Sequence, residues 1–74
     1  MLSFRTWVEL AGGAPASARK LGVSPYAVWT WLAGTRAPTM KHLIAIIRAS
    51  RGKLDANGLV KEFKNARKDR QRGR

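Results

Sequence analysis

Glycine and proline cut this chain into short pieces, and most of those pieces carry the spacing of helices. Gly12-Gly13, Gly22, Gly34 and Gly52 follow stretches with apolar residues mostly three to four positions apart. Ser3 is placed to cap a first helix reaching about Ala11, with Phe4, Trp7, Val8 and Ala11 on one face. Pro15 suits the first turn of a second helix over about 15–21, and Gly22 can take the left-handed conformation that stops it. Ser24-Pro25 reads as the next start, a capping hydroxyl followed by proline at the first helical position, for a helix running to about Ala33. After the loop Thr35-Arg36-Ala37-Pro38, Thr39 can cap a fourth helix over about 40–50. Its expected apolar stripe is Met40, Leu43, Ile44 and Ile47, with Ile46 at the margin. Asp55 can cap a fifth, with Leu59, Val60 and Phe63 on one side. No segment shows strand alternation, so the expected fold class is all-α with five helices.

With 74 residues the chain supports one domain. A domain of this size buries only about 60% of the surface its unfolded chain exposes, which leaves little room for a deep enzyme pocket. There is no cysteine, hence no disulfide, thiolate metal site or cysteine nucleophile. His42 is the only histidine, so a histidine metal site is not expected either, and no cofactor is. The few carboxylates, Glu9, Asp55, Glu62 and Asp69, pair with no nucleophile and base, so an enzyme is not expected. Fifteen basic residues against 4 acidic ones give a formal charge of +11, which favours a polyanionic partner. Neither a membrane-spanning run nor a secretory signal is read in the sequence, and a cytoplasmic, nucleoid-associated location is expected. The apolar pattern fades after Phe63. The expected division is a folded domain over 1–63 and a basic tail over 64–74, with Lys64, Arg67, Lys68 and Arg70 available for phosphates whether or not the tail is ordered.

The stretch Ala14 to Pro38 carries the functional signal. Two helices joined by a tight turn need a small residue where they meet, a glycine in the turn and an apolar residue after it. Ala18, Gly22 and Val23 stand at those places. Val28, Trp31 and Leu32 form the inward face of the second helix. In this register the sequence resembles the Cro and phage-repressor (XRE-type) family of bacterial helix-turn-helix proteins. The resemblance rests on Trp7-Val8, Ala11-Gly12-Gly13, Ala18, Leu21-Gly22-Val23-Ser24, Ala27-Val28, Trp31-Leu32, Gly34, Arg36 and Pro38. It continues through Leu43 and Ile47, the turn Arg51-Gly52-Lys53-Leu54, then Asp55 and Leu59, and so covers about residues 3–63. It implies a lambda-repressor-like domain with the motif at about 14–33, dimeric or cooperative operator binding, and repression or activation of nearby genes. Excision control and toxin neutralisation also occur in this broad group.

Carried onto this chain, the resemblance sets Ser24, Pro25, Tyr26, Trp29 and Thr30 toward DNA bases or the adjoining backbone. The family often has Gln, Asn, Lys or Arg at such positions, whereas here no side chain on the outward set can make a bidentate base contact. Shape readout and phosphate contacts are therefore expected to carry much of the binding. Ser17, Lys20, Thr35, Arg36, Thr39 and Lys41 are the expected backbone contacts, Arg36 foremost. The leading reading is a sequence-specific transcriptional regulator that binds double-stranded DNA, a repressor of phage, plasmid or mobile-element type acting as a homodimer. Three others stay open: a DNA-bending architectural or excision factor, a protein-interaction module anchored on Tyr26 and Trp29 for RNA polymerase or another regulator, and RNA binding by the tail.

Overall fold

A computed structural model describes the backbone of residues 2–72 and the side chains of 2–68. Five helices follow one another: α1 (Phe4–Leu10), α2 (Ala14–Leu21), α3 (Pro25–Ala33), α4 (Met40–Ala49) and α5 (Ala56–Arg72). No strand occurs among the described residues.

The local signals for the helix ends operate as expected. The Thr6 N–H donates to Ser3 Oγ at 3.0 Å, and the Ala27 N–H to Ser24 Oγ at 3.2 Å, so each serine satisfies one orphan donor at a helix start. Asp55 does the same for α5, where the Gly58 N–H donates to Oδ1 at 2.6 Å. Gly22 and Gly34 end α2 and α3 in the left-handed region, with φ of 72° and 78°. Thr39 occupies the cap position of α4, but its hydroxyl pairs with His42 Nδ1 at 3.1 Å instead of a backbone N–H.

The core lies where the five helices converge. Phe4 is fully buried at its centre. Its ring lies 6.0 Å from Trp7, 6.2 Å from Trp31 and 5.4 Å edge-on from Phe63, separations at which aromatic pairs gain beyond simple burial. Val28, Ile46 and Leu59 close the remaining space, and Leu54 and Phe63 are sealed within the single chain.

Two expectations are corrected. On α4 the phase of the stripe is different: Ile46 is fully buried beside Leu43, whereas Met40 and Ile44 are exposed. On α5, Val60 is exposed while Leu59 and Phe63 face inward. Beyond residue 63, α5 continues as helix to Arg72. Ala66 lies against the end of α3, so this part of α5 still belongs to the packed domain.

One junction ties the chain's start to its last helix. Glu62 on α5 accepts the Phe4 N–H at 2.6 Å and the Arg5 N–H at 3.1 Å. Its carboxylate thus covers the positive end of α1 from a distant point in the sequence. Arg5 in turn donates from Nη2 to the Leu32 carbonyl at 3.2 Å, near the end of α3.

Candidate nucleic-acid interface

α2 and α3 meet through Ala18, Leu21 and Val28, all buried, with the turn at Gly22-Val23 between them. The Val23 N–H donates to the Ala18 carbonyl at 3.0 Å, which holds the turn closed. This packing consumes one side of α3 and leaves the other to solvent. Trp31 and Trp29 show the division. Trp31 is 4% exposed, whereas Trp29 is 57% exposed and Tyr26, three positions earlier, is 65% exposed. Nine residues of α-helix span about 13 Å, a length that fits a major groove about 12 Å wide.

Ser24 and Pro25 are exposed at the start of α3, on the approach to that face. Ser24 Oγ accepts from Ala27 and still has its own proton to donate. Thr30 does not join them. It is 7% exposed, and its hydroxyl donates to the Ala27 carbonyl at 2.7 Å. Its own carbonyl then accepts the Thr35 N–H at 3.1 Å and the Thr35 hydroxyl at 3.2 Å. Thr30 therefore fixes the loop after α3.

Ser17 also leaves the expected set. It is fully buried, and Oγ donates to the Gly13 carbonyl at 2.8 Å, which ties the start of α2 to its own cap. Thr35 is exposed, but its N–H and hydroxyl are both committed to Thr30. Arg36 and Lys41 are exposed in the loop after α3 and the first turn of α4. Thr39 is exposed beside them, its hydroxyl turned to His42, whose ring packs 5.3 Å from Trp31. Lys20 lies apart, in the last turn of α2, where it lines a cleft with Trp7, Leu10 and Arg51 that contains no residue of α3.

The cations of α5 divide similarly. Lys64, Arg67 and Lys68 are exposed. The side chain of Arg70 lies outside the described residues. A Cβ placed on Gly34 would come within 2.5 Å of the Ala66 carbonyl oxygen and 2.8 Å of the Arg67 nitrogen. The cationic stretch of α5 therefore starts against the C-terminal end of α3. Sequence reading missed this juxtaposition and the Glu62 cap, since both join residues far apart in the chain; a glycine at 34 was the only trace of the first.

Among the described residues no cluster of three or more His, Cys, Asp and Glu is set to hold a metal ion, and no helix is long and apolar enough to cross a membrane.

Five helices, a glycine-centred turn and one helix with an outward aromatic face define a small helix-turn-helix domain. The chain belongs to the bacterial toxin YdaS family, whose pattern matches residues 4–63. Among curated proteins it is similar to one from Escherichia coli (strain K12) named "Putative transcriptional regulator YdaS", with 42% identity over 52 residues, covering 70% of this chain and 53% of the relative. The chain thus spans about half the length of that relative. No solved structure matches it.

Proposed function

We propose that this chain binds double-stranded DNA by laying α3 in the major groove and regulates transcription from that site. The observation that carries the reading is the outward pair Tyr26 and Trp29. These are two large rings that the core does not use, on the helix that this motif presents to a duplex, in a chain of charge +11. The name of the Escherichia coli relative supports a regulatory role.

The chemistry follows from what α3 has and lacks. Tyr26 offers a hydroxyl to a base edge or a phosphate. Trp29 offers an apolar face to a thymine methyl or a sugar, and an indole N–H to a phosphate. There is no amide or guanidinium on this face for a bidentate base contact. Groove width and deformability then supply part of the selectivity. Ser24, Arg36, Thr39 and Lys41 hold the flanking backbone, and the cations of α5 add sequence-independent affinity. Two copies on half-sites about 34 Å apart give the symmetric arrangement usual for this motif, with a repressor of phage, plasmid or mobile-element type as the finer reading.

Selection of bound sequences from a random duplex pool, followed by titration of the winner against random duplex, tests this. A regulator favours its site by about a thousandfold or more. Trp29→Ala and Tyr26→Ala should each cost about tenfold or more on that site, with helix content unchanged and random-duplex affinity nearly so. Equal affinity for every duplex, with bending, would replace the regulator with an architectural factor. Tight duplex binding that ignores both substitutions would overturn the placement of α3.

A further inference from the structure

Away from α3, the end of α1 and the turn between α4 and α5 enclose a cleft of about 300 Å³. Trp7 and Ala49 contribute to its apolar floor. Leu10 stands at its side with 74% of its surface in solvent, the highest value among the large apolar side chains described. Lys20, Arg51 and Lys53 are exposed around it, and no acidic residue takes part in the lining. The turn that presents two of these cations is pinned. The Gly52 N–H donates to the Ile47 carbonyl at 3.1 Å, and the Leu54 N–H donates to Ser50 Oγ at 3.2 Å. Arg51 itself is held at φ 55°, a left-handed conformation uncommon for a residue with a side chain.

An exposed leucine beside a ring of like charges leaves two demands open, apolar cover and negative charge. Nucleic acid would neutralise the cations but leave Leu10 in water. A second copy of a +11 chain would bring cations against cations. We propose that this cleft docks an acidic amphipathic helix of a partner protein. The helix places an apolar side chain on Leu10 and Trp7 and its carboxylates on Lys20, Arg51 and Lys53. This is helix-in-groove recognition, with the charged rim setting orientation and encounter rate. Because no α3 residue lines the cleft, the partner and a duplex on α3 occupy the protein together.

The test uses the full chain and a labelled peptide of about 16 residues, long enough to form a helix, with leucines on one face and glutamates on the other. Its controls are a scrambled peptide and one with glutamine for each glutamate. Anisotropy should show the amphipathic peptide binding at least tenfold tighter than either control. Leu10→Ser and Arg51→Gly should each weaken it about tenfold. Both should leave the fold intact, since Leu10 is exposed and glycine suits the backbone at 51. Lys61→Gln, outside the cleft, should change affinity less than twofold. Duplex binding should be the same for Leu10→Ser and Arg51→Gly as for the parent, which separates failure here from failure of the DNA reading. The proposal is overturned if the scrambled peptide binds equally, or if Lys61→Gln costs as much as Arg51→Gly. Displacement of the peptide by saturating duplex would also overturn it. So would a dimer that Leu10→Ser dissociates, or Leu10-dependent binding to phosphatidylserine vesicles, when the peptide itself does not bind.

Discussion

Gly22 and Gly34 end consecutive helices in nearly the same backbone conformation, yet the molecule uses them differently. Around a Cβ built on Gly22 nothing lies within 4 Å. Around one built on Gly34, the backbone of Ala66 and Arg67 lies within 3 Å. The first glycine serves only its own turn. The second serves its turn and also lets α5 close against the end of α3. The sequence signal at the two places is the same, a glycine after a helical run, so the sequence alone does not distinguish them. What differs is a contact with a residue more than thirty positions away.

The strongest challenge to this contrast is Gly34→Ala. It adds left-handed strain of roughly 1–2 kcal/mol and a collision with backbone that no side-chain rotation relieves. A domain of this length has a total stability on the order of 4–11 kcal/mol. Urea unfolding should therefore show a loss of several kcal/mol, or α5 displaced from α3 with a changed unfolding slope. Gly34→Asn is the sharper variant. Asparagine tolerates the left-handed region, but its Cβ meets Ala66 as alanine's does. If Gly34→Asn proved as stable as the parent, the close approach of α5 would be disproved.

Gly22→Ala should cost less, about 1 kcal/mol, because strain is its only penalty. Here Gly22→Asn should recover much of that loss, since the space is open. Rescue by asparagine at 22 and not at 34 is the pattern that separates a turn from a junction. Equal behaviour at both would erase the distinction.

The same division explains how far the fold and the interface could be read in advance. Features set by near neighbours were legible. Ser3, Ser24 and Asp55 cap helices through N–H groups three residues on, and Trp31 turns inward while Trp29 turns out. The phase of α4 was not legible. Leu43, Ile44, Ile46 and Ile47 spread apolar surface over an arc of about 160°, wider than the core takes up, and only packing against α2 and α5 selects Leu43 and Ile46. Thr30 and Ser17 misled for a different reason. Each satisfies its hydroxyl on a carbonyl of its own turn, so burial costs it little, and a polar residue type did not mean an outward one. The outward face of α3 was legible from helical geometry; the cations of α5 beside its end were legible only as composition.

The smallest expected effect falls on the Glu62 junction, where a long-range contact resembles a local one. Capping residues contribute about 0.5–2 kcal/mol at a helix start, and Glu62 fills that place for α1 from α5 alongside the local cap Ser3. Glu62→Gln keeps one acceptor oxygen and removes the charge at the positive end of a seven-residue helix. A loss of about 0.5–1 kcal/mol in urea unfolding is expected, with duplex affinity unchanged within about twofold. Glu62→Ala removes both acceptors and should cost more, although Ser3 still holds the Thr6 N–H. Protection of the Phe4 and Arg5 amides from hydrogen exchange is the direct measurement. It should drop in Glu62→Ala while that of Thr6 persists. Protection of all three amides at the parent level would mean that α1 is held by its aromatic packing alone and that the carboxylate is incidental.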